Sequence, residues 1–485
     1  MALMETALVY AARPRVVGKY LGRLFLVLAV LSLAPLVASV VFAEYAYTAR
    51  FAVVVLGYAA VGALLERLPS PARVQPNEAA LVVALAFLIA PVVMAYPLSI
   101  SGAPFIDVLF EAVSGVTTSG LSTFATVEGQ PRTFLFGRAF MQWYGGLGIA
   151  VFAVALISAH HMASRRLIES VGEEALATTT GTHARRVLLV YCALTVIGFA
   201  VLWTLSGDGF AALTHVMSAV STGGFSSFDD GLAGFGGLGS VLWTSFLSLC
   251  GAVALPLYFF ATQRGIGVVS RDEELRALVI FVLVFTAALM WGNSAANTNL
   301  DHIVAGLVTV ISAQTTTGFS YSDTQSLTAV QMGALMIAML IGGSVGSTAG
   351  GIKIYRTLIA AKMVAFLLRR GSIAAHAVSA PMLGGRQLEN DEIQRALVVV
   401  VLFFATIALS WLPFLAYGYD PLRSLFEVVS ATCTVGLSAG ITADTLPTPL
   451  KLVLCLDMWL GRLEIIGMLV VVYHRVWWGK RVESL

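Results

Sequence analysis

The chain has 485 residues, of which 58% are hydrophobic and only 12% are charged, and its formal net charge is +2. A soluble domain of this size carries roughly twice that charged fraction, so the composition excludes a soluble globular protein. Repeated apolar runs, each long enough to cross the hydrocarbon core as a helix, predict an all-α integral membrane protein.

About ten runs are predicted to cross the membrane. The first follows a group of basic residues, but it is longer than a signal peptide core and has no clean cleavage site, so we interpret it as a retained span. Basic residues lie mostly on one side of this arrangement, which predicts that both termini are cytoplasmic. The predicted spans lie near 20–43, 51–66, 79–100, 133–158, 187–206, 238–261, 276–294, 328–366, 394–417 and 448–476.

Four shorter amphipathic segments precede the fourth, sixth, eighth and tenth spans. They are too short to cross the membrane and are typical of re-entrant half-helices. In the predicted orientation all four enter from outside. The segments are 105–116, 210–220, 300–313 and 422–432.

Each half-helix leads into the same phrase, S-x-x-x-T-x-G-[LF]-S. We call these phrases the four aligned loops: loop 1 (114–122), loop 2 (218–226), loop 3 (312–320) and loop 4 (430–438). One copy indicates only a helix end, but four copies at the same place in a repeated unit indicate a fourfold repeat. The predicted units are a two-span N-terminal unit at 1–74 and M1-P-M2 repeats at 75–160, 161–264, 265–370 and 371–485.

Non-helical backbone at membrane depth is tolerated only where its carbonyl groups line a cavity or meet another partner. Four such loops around a pseudo-fourfold axis direct carbonyls at one centre, where a dehydrated monovalent cation is the natural partner. Glycine after the threonine allows the positive φ that this requires. The predicted cation-binding residues are Thr117, Thr118, Ser119 and Gly120; Ser221, Thr222, Gly223 and Gly224; Thr315, Thr316, Thr317 and Gly318; and Cys433, Thr434, Val435 and Gly436.

Several other polar residues have two interpretations. Glu111 and Glu427 lie in the half-helices, where each either braces a loop or has no such role; because His215 and Thr309 take the same place elsewhere, a fourfold brace is not expected. Acidic residues after the loops either give the pore mouth a negative potential or are solvated loop residues. These are Glu128, Asp229, Asp230, Asp323 and Asp444.

The eighth span is interrupted by a segment with five glycines and three hydroxyl residues at 342–351, which we call the glycine-rich segment. Such a composition makes a poor continuous helix. One interpretation is close helix packing through small residues, because Gly342, Gly346 and Gly350 have G-x-x-x-G spacing. The other is a non-helical segment that faces water or is sheltered by protein.

The four aligned loops, the phrase IGGSVGSTAGGIKIYR at 341–356 and the phrase LGRLEIIGM at 460–468 resemble the Trk/Ktr/HKT superfamily of potassium transporters. The two-span prefix is similar to its TrkH-like membrane subunits, and the resemblance covers essentially the whole chain. It implies one pore per subunit, potassium selection by the four loops, and a homodimer in the cytoplasmic (inner) membrane of a prokaryote. Glycine at Gly120, where sodium-selective members tend to have serine, implies potassium rather than sodium.

The resemblance also favours a gate in the glycine-rich segment. Lys353 and Arg462 are ionisable residues at membrane depth, where a functional role is the default hypothesis. Arg462 is expected to fix the gate by donating to its carbonyls; the alternatives are an Arg462 ion pair with Asp457 or Glu464 and a snorkelling Lys353. The predicted gate residues are Gly342, Gly343, Ser344, Gly346, Ser347, Thr348, Gly350, Gly351, Lys353 and Arg462.

No phosphate-binding loop, catalytic dyad or redox motif is apparent in the sequence, so we expect neither an enzyme nor a resident cofactor, with potassium as the substrate. Nucleic acid is not an expected partner.

Regulation is expected from a cytoplasmic RCK-type, nucleotide-binding subunit of the TrkA kind, which the resemblance implies. Candidate docking surfaces are 159–186 and 367–395. The alternative function is secondary transport of potassium coupled to protons or sodium, which usually shows inverted repeats.

Overall fold

The computed structural model of the chain describes residues 11–69, 74–165, 173–265, 267–291, 300–370 and 381–478. Helices dominate these residues, and the two short strands β1 (Met382–Leu383) and β2 (Arg386–Gln387) form one antiparallel hairpin. The helices are α1 (Pro14–Val41), α2 (Tyr45–Glu66), α3 (Pro76–Leu98), α4 (Phe105–Val116), α5 (Arg132–Arg165), α6 (Glu173–Ser206), α7 (Gly209–Val220), α8 (Leu238–Ala252), α9 (Leu255–Arg264), α10 (Gly267–Arg271), α11 (Glu273–Trp291), α12 (Leu300–Gln314), α13 (Ala329–Ile341), α14 (Ile354–Arg370), α15 (Asn390–Ala416), α16 (Pro421–Thr432), α17 (Thr448–Arg462), α18 (Ile466–Val472) and α19 (His474–Trp477).

Several helices are suited to cross a membrane. Among the described residues, six are long and apolar enough, and the broken pair α8 and α9 makes a seventh. Many of their large apolar side chains, such as Leu56 and Val401, are exposed, as expected of surfaces that face lipid. The chain is therefore a multi-pass membrane protein, while the total of about ten crossings stays a prediction.

The N-terminal hairpin of α1 and α2 is attached to the rest of the protein at both ends. Arg13 forms a two-point ion pair with Glu78 at the start of α3, with nitrogen–oxygen distances of 2.8 and 2.9 Å. At the other end, Glu44 accepts hydrogen bonds from the Arg132 and Thr133 N–H groups, both at 2.9 Å. A carboxylate at this position caps the N-terminus of α5 and complements its dipole.

The four predicted half-helices are confirmed as α4, α7, α12 and α16. Three of them end against a glycine of the helix that follows. A Cβ on Gly145 would overlap the last carbonyl oxygen of α4, and a Cβ on Gly461 would overlap that of α16. A Cβ on Gly251 would lie 2.6 Å from the last carbonyl oxygen of α7. Glycine at these places allows the close approach of the two backbones. These glycines were not singled out from the sequence, because each is an isolated glycine within an apolar run.

Two spans predicted as continuous are broken. The predicted span 238–261 bends by 86° between α8 and α9. Pro256 lies in the first turn of α9, where its missing N–H has no cost, and the break lets the Ala252 carbonyl accept from Ser344 N–H at 2.9 Å. The predicted span 448–476 ends as a helix at Arg462, because Glu464 and Ile465 both have positive φ.

The interruption predicted within 328–366 is confirmed. Helix α13 ends at Ile341 and α14 begins at Ile354, with the glycine-rich segment between them. The candidate docking segments fall partly outside the described residues, at 166–172 and 371–380. In the described part, Arg386 of the β hairpin contacts Glu392 at 2.6 Å and the Tyr355 hydroxyl at 2.9 Å, which joins the hairpin to α14 and α15.

Candidate ion pathway

Each half-helix ends in the same pair of backbone hydrogen bonds. In loop 1, Thr118 N–H donates to Gly115 O at 3.0 Å and Ser119 N–H donates to Ser114 O at 2.8 Å. This pair is the Schellman motif, which normally places glycine at its left-handed position. Threonine takes that position in all four loops, with φ of 56° at Thr118, 52° at Thr222, 54° at Thr316 and 52° at Thr434.

A β-branched residue with positive φ is a genuine conformational outlier, and its cost is of order 1–3 kcal/mol. Four independent segments of the chain show the same outlier at the same place. Such strain persists only where the surroundings impose it, and it gathers at functional sites. The repeated threonine therefore marks the loops as a site whose backbone path matters more than its local stability.

The glycine two residues later also has positive φ in every loop: 82° at Gly120, 77° at Gly224, 83° at Gly318 and 105° at Gly436. The prediction of positive φ at these glycines is confirmed. Left-handed residues thus alternate along each loop, at the threonine and at the glycine. The left-handed threonines were not predicted, because the sequence argument assigned that freedom to glycine alone.

The four loops touch one another in a closed ring. A Cβ on Gly120 would overlap the carbonyl oxygen of Gly223 in loop 2, and Gly224 has the same relation to Thr317 in loop 3. The ring closes in the same sense, because Gly318 adjoins the Val435 carbonyl and Gly436 adjoins the Ser119 carbonyl. The loops therefore surround one centre in chain order, with one carbonyl of each loop against the glycine of the next.

Other side chains at the aligned positions bond within their own half-helix. Thr117 Oγ1 donates to Val113 O at 2.7 Å and lies 2.9 Å from Ser119 Oγ, and Thr315 repeats this with Ile311 and Thr317. The left-handed threonines differ. Among the described residues, Thr118 and Thr434 have buried hydroxyls without a hydrogen-bond partner, so these two hydroxyls are available to a ligand.

Side chains of the half-helices also contact the ends of the loops or the residues just after them. Glu427 accepts from the N–H groups of Ala439 at 2.9 Å and Ile441 at 3.1 Å. Glu111 accepts from Ser122 Oγ at 2.8 Å. As expected, the carboxylate brace is not fourfold: His215 Nε2 lies 3.0 Å from Ser226 Oγ, and Thr309 Oγ1 lies 3.3 Å from the hydroxyl of Ser322, two residues beyond loop 3.

The glycine-rich segment adjoins the threonine end of the loops. Gly350 N–H donates to Thr316 Oγ1 at 2.6 Å, and Thr222 Oγ1 lies 3.2 Å from Thr348 Oγ1. A Cβ on Gly350 would overlap the Thr434 hydroxyl. The segment is non-helical throughout, so the packed G-x-x-x-G helix is not what the structure contains.

The hydrogen bonds that hold this segment come largely from other elements. Ser344 N–H donates to Ala252 O and Thr348 N–H to Gly251 O, both at the α8 break, at 2.9 and 3.1 Å. Val345 N–H donates to the Glu274 carboxylate at 2.8 Å. Gln314, at one of the variable positions of the loop phrase, donates to Gly342 O at 2.7 Å, so its side chain turns toward the segment.

Arg462 and Lys353 are both buried, with 3% and 6% of their surface exposed. Arg462 donates to Thr348 O at 2.9 Å and to Gly145 O at 3.2 Å, and Lys353 donates to Ala349 O. The expected contact of Arg462 with the segment's carbonyls is confirmed. Its proposed carboxylate partners are engaged elsewhere: Asp457 accepts from Ser410 at 2.5 Å and Glu464 pairs with Arg356. Lys353 does not snorkel.

Asp229 joins the loop ends on the side predicted to be extracellular. Its carboxylate accepts from Thr126 Oγ1 at 2.7 Å and from Val127 N–H at 2.6 Å, which joins the segments that follow loops 1 and 2. Burial alone would raise the pKa of Asp229, but these hydrogen bonds outweigh it and lower the pKa. At least this acid is therefore a structural link as well as a negative charge.

Known proteins resemble this chain along most of its length. The family model described as TrkH, cation transport protein, matches residues 75–476. The chain is 29% identical to an uncharacterized cation transporter of Methanocaldococcus jannaschii over 93% of its length and 94% of that protein. It is 28% identical to the Trk system potassium uptake protein TrkI of Halomonas elongata, with 95% and 96% covered.

The fold has a counterpart among solved structures. The crystal structure of the potassium transporter TrkH from Vibrio parahaemolyticus matches with a TM-score of 0.84 at 24% identity, over 96% of this chain and all of that one. The relatives are named as cation transporters and not as enzymes, which confirms that part of the sequence interpretation. Because the family model matches far more than half of the sequence, the chain belongs to the TrkH family of cation transport proteins.

Proposed function

We propose that this protein carries potassium into the cell across the cytoplasmic membrane through a gated, channel-like pore. The observation that carries the proposal is the closed ring of four aligned loops, with left-handed threonine and glycine in each. Rings of backbone carbonyls replace the hydration shell of potassium in selective pores. The names of the relatives TrkI and TrkH, which are potassium uptake proteins, support the same ion.

The selectivity filter is formed by the aligned residues from Thr117 to Gly120 and their equivalents in the other loops. The carbonyls of Ser119, Gly223, Thr317 and Val435 form one level, because each adjoins the glycine of the neighbouring loop. The unpartnered hydroxyls of Thr118 and Thr434 contribute to a second level next to the glycine-rich segment. The arrangement as four M1-P-M2 repeats behind a two-span unit is part of this proposal.

The glycine-rich segment is the gate. Its contacts with Thr316 and Thr434, at the threonine end of the ring, support this assignment. Arg462 is bonded to Thr348 O and so holds the closed position without lying in the ring itself. A buried cation here also disfavours the passage of potassium while the gate is closed.

Regulation and assembly follow from the resemblance to the superfamily. We propose a homodimer that works with a cytoplasmic, nucleotide-binding subunit of the TrkA kind. The β hairpin gives such a partner a route to the gate, because Arg386 contacts Tyr355, which is two residues from Lys353. Co-purification with the partner, with and without nucleotide, tests this point.

One observation favours the coupled transporter as a second candidate. Asp457 is fully buried in α17, and one of its carboxylate oxygens lacks a partner among the described residues. Intramembrane carboxylates are frequent members of proton relays. In this alternative Asp457 binds and releases a proton during each cycle, and replacing it with asparagine uncouples transport from the pH gradient.

Ion flux into proteoliposomes decides between the two. Potassium, rubidium, sodium and lithium are compared at an imposed voltage, and the pH gradient is varied separately. A selective pore takes up potassium and rubidium, excludes sodium, and reverses at the potassium equilibrium potential whatever the pH gradient. A reversal potential that moves with pH or with sodium contradicts the pore and supports coupled transport.

A further inference from the structure

One face of α5 lies along loop 2. Arg138, Gln142 and Gly146 follow one another at four-residue spacing, so they share a side of the helix. A Cβ on Gly146 would lie 3.0 Å from the Cα of Ser221, at the start of the loop's aligned residues. The long helix after loop 1 therefore supports loop 2 along about two turns.

Gln142 makes the central contacts of this face. Its amide nitrogen donates to the carbonyl oxygen of Gly223 at 2.5 Å, and its amide oxygen accepts from Phe225 N–H at 3.1 Å. The side chain is fully buried. A Cβ on Gly223 would overlap this amide group, so glycine at 223 and glutamine at 142 fit each other as a pair.

Arg138 continues the contact one turn away. Its guanidinium donates to Ser226 O at 3.1 Å and lies 4.0 Å from the centroid of the Phe225 ring. It also pairs with Glu111, the brace of loop 1. Because Arg138 is fixed in this way, it holds Phe225 in place. The Phe225 N–H group, which donates to Gln142, is held with it.

In the part of the chain that the structure describes, the other loops have no such contact. Among the described residues, no side chain donates a hydrogen bond to the carbonyl of Ser119, Thr317 or Val435. Gln142 lies three residues before Gly145. The residues three before Gly251 and Gly461 are Ser248 and Met458, and neither makes the contact that Gln142 makes. The Ser248 hydroxyl donates to Thr244 O in its own helix, and the Met458 side chain has no donor group.

We propose that Gln142 is a specificity-determining positioning residue, which engages one lone pair of the Gly223 carbonyl and fixes its direction. This rests on the proposed role of the four loops as a filter. The ring then offers three carbonyls free of side-chain donors and one that is already hydrogen-bonded. Because selectivity depends on the number and the field strength of the coordinating carbonyls, this bond lowers the contribution of loop 2 and sets the preference among monovalent cations.

The test is the permeability ratio of potassium to sodium in Gln142→Met, measured from reversal potentials in proteoliposomes. Methionine keeps the volume but removes both hydrogen bonds, so we expect the ratio to change by about five-fold, the equivalent of one net hydrogen bond. Gln331→Met is the matched control. It removes a buried amide that donates to Leu289 O at 3.1 Å, in α13 and away from loop 2, and its ratio is expected to equal that of the wild type.

Gln142→Glu is the second variant, because it is nearly isosteric. When ionised it still accepts from Phe225 N–H but cannot donate to Gly223 O, so its ratio is expected to shift as well. An unchanged ratio in folded Gln142→Met overturns the proposal, as does an equal shift in Gln331→Met. A wild-type protein that does not select potassium contradicts the proposed function instead, which keeps the two failures distinct.

Discussion

The four aligned loops and the glycine-rich segment are built from the same residue types but are held in different ways. Each loop is tied to its own half-helix by a Schellman motif and touches its two neighbours in the ring, and loop 2 also contacts α5. The segment occurs once. Its partners lie on α7, α8, α9, α11, α12 and α17, and Arg462 and Glu274 reach it from different helices.

Under the proposed function, this difference separates selection from gating. A loop held by local bonds keeps its shape when the surrounding helices shift, as a filter must. A segment held by several helices changes its contacts whenever one of those helices moves, as a gate must. Changes in the loops are therefore expected to alter which ion passes, and changes around the segment to alter how much passes.

The largest effect is expected from Gly318→Ala. The added Cβ would overlap the Val435 carbonyl, and the positive φ of 83° is strained for alanine. We expect potassium uptake to fall by about ten-fold or more, because neither the ring nor the backbone can relax cheaply. Gly333→Ala in α13 meets nothing within 4 Å and serves as the control. Normal uptake by Gly318→Ala would break the account of the ring.

Glu427→Gln tests the brace of loop 4. The carboxylate accepts from the N–H groups of Ala439 and Ile441. One of its oxygens becomes an NH₂ group in glutamine, which donates and cannot accept, so some of the hydrogen bonds to the side chain are lost. We expect the potassium to sodium permeability ratio to fall by about five-fold, as for one or more lost net hydrogen bonds. Glu66→Gln, whose ion pair with Arg23 is half-exposed at 3.5 Å, is expected to leave it unchanged. A pure change in flux at constant ratio contradicts the division of roles.

Thr348→Val tests the gate without changing its volume. The Thr348 hydroxyl lies 3.0 Å from Val220 O and 2.9 Å from Gly251 O, so it holds the segment to α7 and α8. Its loss is expected to raise basal flux by about three-fold, which corresponds to somewhat less than the free energy of one net hydrogen bond. The reversal potential is expected to stay unchanged. Tracer uptake and reversal potential together check this, and a shifted reversal potential would place Thr348 with the filter.

The smallest effect is expected from Asp229, which links the segments that follow loops 1 and 2. Its pKa is lowered in the folded protein, so its stabilising contribution is present above the usual aspartate value of 3.8 and is lost as the pH falls through the lowered pKa. Asp229→Asn is expected to melt slightly below the wild type at neutral pH. The two melting curves should converge in acid, and a constant difference at all pH values contradicts this linkage.

The sequence predicts this site unevenly, for physical reasons. The loops, the positive φ of Gly120 and its equivalents, and the contact of Arg462 with the segment are predictable, because repeated phrases and intramembrane charges are visible in one chain. The left-handed φ of Thr118 is not, since β-branched residues disfavour it. The break at Ala252 and the reach of Gln142 into loop 2 depend on partners distant in the chain, which periodicity does not reveal.

The most direct test of the central claim is the reversal potential of Arg462→Ala, measured beside the wild type in proteoliposomes with potassium on one side and sodium on the other. Arg462 is bonded to Thr348 O and Gly145 O, so its loss loosens the gate and leaves the ring of loops in place. The account predicts a larger basal current with the same reversal potential. An unchanged or smaller current in the folded variant, or a reversal potential shifted toward sodium, would contradict it.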